Sequence, residues 1–484
     1  MAKVDYTLSN MDSLFPSNFT EEQKAKGKTV MLKKLSELAH LFYNGKMMTV
    51  PKAGVYGFNW FNVWYTPGVS AVSTAIRDDH SKSFDMASRG NLVAVVSDST
   101  RVLGDGNCSP SGGLGVMEGK AMLMKYLGGI DAIALCMDSR DKNGKPDANK
   151  IIDFVKMLQP SFGAVNLEDI QQPECYKVLD TLRDECEIPV WHDDAQGTGS
   201  VTVAGLINAV KLAGKKMGDC KMVFWGAGAS NTTIARLIHL AGGDYKKMII
   251  FDSKGALHSG REDVKKDPRF YRKWELCEAT NPNKVTDIME ACKGADALIA
   301  LSTPGPDVVK PEWIKVMGTK PIVFACANPV PEIYPYKAKE AGAFIVATGR
   351  GDFPNQVNNS VGFPGILKGT LLVRASKVTD NMAVVAAKSV AAYAERRGIN
   401  PENIIANMDE ADVFPHEAAD VAMQAIEDGV ARVKLSRQEV YERAKRDIEE
   451  SRKLFNHLME ANYVKRPPES MITEALEFAI KTVK

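Results

Sequence analysis

Between residues 20 and 42 the apolar positions Met31, Leu35, Leu38 and Phe42 recur at the spacing of one helix face, with Lys and Glu between them. That period predicts an amphipathic helix that packs on another element or on another copy of the chain. The stretch from 50 to 72 breaks the pattern with Pro, Gly and aromatic residues, and Pro67-Gly68 forces a turn beside Tyr65. From residue 91 short continuous apolar runs take over, LVAVVSD, DAIALCM, AVNLEDI and IPVWHDD, separated by helical patterns at 117–126, 148–158 and 173–185. Runs this short read as buried strands, and strand alternating with helix predicts a parallel, doubly wound sheet. The theme repeats with VFWGAG, MIIFDS, ALIALS, PIVFACAN and AFIVATG, interleaved with helical segments at 232–241 and 285–292. Beyond residue 364 helices dominate, at 382–397 and 415–429, and the charged tail 435–484 is helical with a break at Pro467-Pro468.

Composition narrows this picture. With 484 residues, 45% hydrophobic and 25% charged, the chain is a soluble globular protein too long for one core. Lys and Arg number 61 against 60 Asp and Glu, so no global field draws nucleic acid or an anionic membrane, and neither is an expected partner. Eight cysteines lie scattered without a C-x-x-C pair, which argues for reduced, packed thiols and against a zinc module. The N-terminus lacks an apolar signal core, and no stretch reaches the roughly 18 apolar residues of a spanning helix, so a cytoplasmic protein is expected.

The second set of strands opens with a turn that suggests a ligand. Gly226-Ala227-Gly228-Ala229-Ser230-Asn231 joins a strand to a helix, and Asp252 closes the next strand. Gly226 permits the tight turn, Gly228 lets backbone approach a pyrophosphate, and the helix N-terminus offers free N–H groups. Asp252 stands where a ribose hydroxyl acceptor is expected. The second sheet is therefore expected to be a Rossmann-type dinucleotide-binding domain. Lys254, Arg261, Lys265, Lys266 and Arg269 follow Asp252 and could offset its repulsion of a 2′-phosphate, which leaves NAD and NADP both open.

The first set carries acids at two successive strand ends, Glu168-Asp169 and Asp193-Asp194. Hard oxygen donors converging on one sheet edge suit Mg²⁺ or Mn²⁺ with positions left for substrate oxygens. Lys120 opens a helix of the same sheet, and a lysine beside a divalent cation has its ammonium form disfavoured, which makes an amine a general base. Asn328 and Asn358-Asn359 lie at strand ends or loops of the second domain, where amides either grip a carboxylate or carboxamide or cap a loop. His192, beside Asp193, reads as packed. The expected organisation is a metal and substrate domain at 1–196 that includes the N-terminal helix, a dinucleotide domain at 197–434 and a helical tail at 435–484.

Six motifs in collinear order, YTPGV at 65–69, VMEGK at 116–120, NLEDI at 166–170, HDD with QGT at 192–198, GAG at 226–228 and PNQVNN at 354–359, make residues 44–430 resemble the malic enzymes, most closely the compact prokaryotic-type members. The resemblance implies oxidative decarboxylation of L-malate to pyruvate and CO₂ with NAD or NADP and Mg²⁺ or Mn²⁺. It implies that Glu168, Asp169 and Asp194 are metal ligands, that Asp193 tunes the base, that Lys120 takes the C2 hydroxyl proton and that Tyr65 is the acid. It further implies a substrate carboxylate or nicotinamide role for Arg101, substrate-side and cofactor-side roles for Asn328 and Asn359, cofactor contacts from Gly226, Ala227, Gly228, Ala229, Ser230, Asn231 and Asp252, and a homodimer.

Two residues depart from the family pattern. Asp105 stands where a leucine is expected, and Asn231 replaces the small third residue of the glycine motif, which is expected to loosen helix-to-strand packing or alter the cofactor pose. Two other readings share the scaffold: a malolactic enzyme that retains NAD and gives lactate, and a non-catalytic nucleotide-sensing protein, which would have lost at least one of Tyr65, Lys120, Glu168, Asp169, Asp193 or Asp194. All six are present.

Overall fold

Thr20 starts the N-terminal helix, Glu21–Tyr43, through a reciprocal cap: its hydroxyl accepts from the Gln23 N–H while the Gln23 side-chain oxygen accepts from the Thr20 N–H. The computed structural model describes residues 5–484, so the first four residues of the expected first domain lie outside the described ones. The chain divides into two compact units, one drawn from Met1–Met48 and Ser451–Lys484, the other Thr49–Glu450. In the former, Met31, Leu35 and Leu38 of the predicted face are covered by the C-terminal helix Glu469–Val483, Met31 packing with Phe15, Phe19, Ile472, Leu476 and Ala479, while Phe42 stays exposed.

The larger unit holds two sheets. The first is four-stranded and wholly parallel, in the order β2-β1-β3-β4, with β1 Leu92–Ser97, β2 Asp131–Cys136, β3 Ala164–Leu167 and β4 Val190–His192. The second has six strands in the order β10-β9-β8-β5-β6-β7. Its members are β5 Met222–Trp225, β6 Met248–Asp252, β7 Gly255–Ala256, β8 Ala297–Ala300, β9 Ile322–Ala325 and β10 Ile345–Thr348. All pair in parallel except β7, a two-residue edge strand antiparallel to β6 and too short to show in the hydrophobic pattern.

Strand order reverses beside β5, where β6 lies on one side and β8 on the other, and this is the crevice in which open α/β sheets bind nucleotides. The expected doubly wound α/β architecture and Rossmann-type second sheet are both present. Helix Thr198–Leu212, buried on nearly every side, leaves the end of β4 and packs against helices Ala229–Leu240 and Asp380–Arg397. It therefore ties the acid-bearing strand end to the body of the second sheet. Among the described residues no helix is long and apolar enough to cross a membrane, and all eight cysteines are free thiols.

Candidate active site

β3 and β4 end side by side, with Leu167 paired to His192, so Glu168-Asp169 and Asp193-Asp194 emerge along one sheet edge. Burial then sorts the four acids. Glu168, Asp169 and Asp193 are buried while Asp194 is part-exposed. One ligand atom each from Glu168, Asp169 and Asp194 lies within 4.8 Å of the others. Backbone geometry fixes the set: the Asp169 N–H donates to Asp194 Oδ2 at 2.8 Å, and the Leu103 N–H donates to Asp169 Oδ1 at 3.3 Å. The other Asp169 oxygen, Oδ2, is buried without a hydrogen-bond partner.

The fourth acid faces a lysine. Lys120, in helix Leu114–Gly128, is 10% exposed and places Nζ 2.6 Å from Asp193 Oδ2 and 3.1 Å from Glu168 Oε1. Its ammonium also lies 4.4 Å from the centre of the Phe363 ring. Asp193 receives two further donors, Trp191 Nε1 at 3.3 Å and Asn359 Nδ2 at 2.7 Å. Gly197 is required here, because a Cβ on it would lie 2.1 Å from Asp193 Oδ1. Glu168 is held from behind by Asn166 Nδ2 at 2.8 Å.

Electrostatics show what the cluster is built to hold. Burial, and then the charge of Asp194, pushes the Asp169 carboxyl up to about 8. Burial likewise raises Glu168 well above the carboxylate range, with Lys120 opposing and the other three acids adding to it. For Lys120, burial works against the ammonium, but Asp193, Glu168 and Asp194 outweigh it and hold the group above the usual lysine range. The expected neutral amine is thus not the state of these side chains by themselves: four carboxylates face one cation. A buried orphan oxygen, three converging carboxylates and a surplus of negative charge together fit a hard divalent cation. His192 is buried with neither ring nitrogen hydrogen-bonded, and burial lowers its basicity, as expected of a packed residue.

The glycine loop joins this cluster directly, because the Ser230 hydroxyl donates to the Asp194 carbonyl at 2.8 Å. Gly226 has φ +103° and a Cβ there would meet the Leu301 carbonyl at 2.4 Å, whereas a Cβ on Gly228 would meet nothing within 4 Å. The first glycine makes the turn, and the second leaves its outer side open to a ligand. Asn231 packs inside the loop it belongs to, with its Oδ1 buried and without a hydrogen-bond partner. It is buried, and its Nδ2 donates to the carbonyls of Trp225 at 3.2 Å and Gly226 at 2.8 Å, bracing the loop from within. Asp252 shares its carboxylate with Arg261 through two contacts of 3.0 Å, with the Lys254 N–H at 2.9 Å and with Lys273 at 3.4 Å.

Other expected residues lie apart. Tyr65 is 72% exposed, and no hydrogen bond joins its side chain to the acid cluster among the described residues. The Arg101 side chain is exposed, although its N–H donates to the Asp169 carbonyl at 2.9 Å. Asn328 is exposed beyond the end of β9, with its carbonyl oxygen 2.5 Å from where a Cβ on Gly104 would lie. Asp105 is exposed in the adjoining turn. Trp191 and Phe363 also support the site, yet nothing in their local sequence marks them, since each acts through a contact made by the fold; Asn166, Gly197 and Thr198 lie inside the NLEDI and QGT motifs, but their supporting contacts are likewise made by the fold.

Comparison with known proteins agrees with this geometry. Residues 58–183 match the family model "Malic enzyme, N-terminal domain" and 195–426 match "Malic enzyme, NAD binding domain". A bifunctional malic/malolactic enzyme of Bacillus subtilis is 40% identical over 84% of this chain and 96% of its own. The NAD-dependent malic enzyme of Geobacillus stearothermophilus is 38% identical over 88% and 86%. The crystal structure of Entamoeba histolytica malic enzyme superposes with a TM-score of 0.98 at 62% identity, covering 100% of both chains. The chain therefore belongs to the malic enzymes, the NAD- or NADP-dependent enzymes that oxidatively decarboxylate malate.

Proposed function

We propose that Lys120 is the base that takes the C2 hydroxyl proton of L-malate, that Glu168, Asp169 and Asp194 hold the metal, and that Asp193 orients the lysine. The observation that carries this reading is the placement of Lys120 Nζ 2.6 Å from Asp193 and 3.1 Å from Glu168, at the rim of the three-carboxylate cluster. Mg²⁺ or Mn²⁺ held there supplies Lewis-acid stabilisation of charge on the substrate's oxygens, and NAD or NADP along Gly226, Ala227, Gly228, Ala229 and Ser230 supplies the hydride acceptor. With Glu168 and Asp194 engaged by the cation, two of the charges that hold the Lys120 ammonium are offset and only Asp193 is left to oppose burial, which eases loss of the lysine proton.

Arg101 and Asn328 lie on loops from the two sheets that meet at Gly104, where they would flank a bound substrate carboxylate. Asn359 acts through Asp193, because its amide is spent on that carboxylate and on Thr198 Oγ1 at 3.0 Å. Loss of the carboxylate β to the new 2-oxo group leaves an enolate that needs a proton at C3, the role we assign to Tyr65. We further assign the metal and substrate residues to 1–196, the cofactor residues to 197–434 and a helical tail to 435–484, in a cytoplasmic homodimer.

Initial rates with L-malate, Mn²⁺ and each cofactor test the assignment. Lys120→Ala is expected to lower kcat by about 10²–10⁴-fold, and a variant with unaltered kcat would sink the base role. A second reading has one observation behind it, the malic/malolactic name of the Bacillus subtilis relative. Lactate formed from malate without net NADH release would establish it.

A further inference from the structure

The faces of two helices close on a cavity of about 200 Å³ whose lining contains none of the acid-cluster or glycine-loop residues. Helix Ala229–Leu240 contributes Thr232, Thr233 and Arg236, and helix Tyr271–Ala279 contributes Arg272, Glu275 and Leu276. The spacing of three and four residues puts each set on one helix face. The volume lies below the 300–1,000 Å³ range typical of drug-sized ligands and so suits a compact molecule.

Its polar groups are donors in excess. Arg272 is 6% exposed, and it spends Nε and Nη2 on Asp180, which does not line the cavity, while Nη1 has no hydrogen-bond partner. Arg236 Nη2 lies 3.0 Å from Asp380 Oδ2 without hydrogen-bond alignment, and its Nε has no partner either. Among the lining residues two guanidinium groups face one carboxylate, that of the exposed Glu275. Buried donors without acceptors are costly, and an oxyanion is the ligand that satisfies several at once.

We propose that this cavity binds a small oxyanion, carboxylate or phosphate, through Arg236 and Arg272, and that its occupancy is felt at the catalytic turn. The connection is Asp380, which Arg236 shares with Arg183 at 3.4 Å and with Gln196 Nε2 at 3.5 Å. Gln196 lies in the Asp193–Gly197 turn, and its Oε1 accepts from the His192 N–H at 3.2 Å. An anion that draws Arg236 toward the cavity loosens the grip on Asp380 and, with it, on that turn.

Calorimetric titration of the NADH-saturated enzyme with inorganic phosphate, and separately with succinate, tests the site. NADH fills the glycine loop, and only binding that Arg236→Gln removes is assigned to the cavity. Saturable binding weakened about tenfold or more in Arg236→Gln, with an unchanged melting temperature and partial recovery in Arg236→Lys, supports the proposal. The stronger of the two probes identifies the ligand as phosphate or carboxylate. Equal binding in wild type and Arg236→Gln, or no saturable binding of either probe, overturns it. The coupling predicts that phosphate or succinate shifts the malate KM of the wild type about fivefold or more beyond its effect on Arg236→Gln; identical responses overturn the coupling. The binding result stands apart from the base assignment, since no residue of the cavity takes part in it.

Discussion

Asn359 donates its amide Nδ2 to Asp193 Oδ2 at 2.7 Å, across 166 residues of sequence. The same carboxylate oxygen receives the Lys120 ammonium at 2.6 Å. An amide from the second half of the chain thus holds the carboxylate that holds Lys120, the proposed base. Asn359→Ala removes a charged hydrogen bond worth about 1.5–3 kcal/mol, so kcat should fall about 10–100-fold with little change in malate KM. Asn359→Asp should be worse, because it sets a second carboxylate against Asp193. Steady-state kinetics on both variants check the order.

The crowded acids make a trade-off testable. Without metal, the buried Glu168 and Asp169 and the part-exposed Asp194 repel one another, so Asp169→Asn should raise the melting temperature of the EDTA-treated protein while lowering activity. Wild type should gain about 2.7 kcal/mol at a Mn²⁺ concentration 100 times the dissociation constant, a gain Asp169→Asn largely loses. Calorimetric scans with and without Mn²⁺ read both effects. An apo protein destabilised by the substitution would contradict the crowding argument.

Glu332 is buried, and its carboxylate accepts from the Ser302 N–H at 2.7 Å and the Ala327 N–H at 3.0 Å, joining the loops that follow β8 and β9. Burial raises its pKa from 4.5 to about 7 despite those donors. Because the folded state holds this proton more tightly than the unfolded chain, its contribution to stability is present below about 4.5 and is lost as pH rises to about 7. In Glu332→Gln that slope should vanish. Denaturant unfolding of both proteins across the window measures the difference.

Much of this was legible in the chain. Alternating apolar runs placed the two sheets, and the acid pairs at successive strand ends marked the three-carboxylate cluster, because both signals are local. Phe363 over Lys120, Asn359 on Asp193 and Asn231 inside its own loop were not, since each depends on contacts the sequence does not encode at short range. The antiparallel β7 is two residues long, and no period can be read from two residues.

Arg261 pairs with both Asp252 and Asp263, and cofactor choice is expected to turn on it. Burial alone would raise the Asp252 carboxyl, but Arg261, the Lys254 N–H and Lys273 hold it below the usual range, so its lone pairs are largely spent before any ribose arrives. Arg261→Ala frees that acceptor and removes the charge that offsets it. The ratio of kcat/KM for NAD to that for NADP should rise about tenfold or more, which initial rates with each cofactor determine.

Tyr65 sits in a face that should not stay wet. Tyr56, Phe58, Phe61 and Trp64 are exposed around it, an apolar patch of the kind that marks a protein contact. In the proposed homodimer, a second copy laid on this face is expected to cover the aromatics and to bring each Tyr65 to the partner subunit's site. Two inactive variants then discriminate: Tyr65→Phe and Lys120→Ala each lack one group, and in a mixed dimer one of the two sites regains both. After equimolar subunit exchange, activity should return to about a quarter of wild type. If Tyr65 instead served its own chain, every site in the mixture would still lack one group, and the mixture would stay as inactive as its parts.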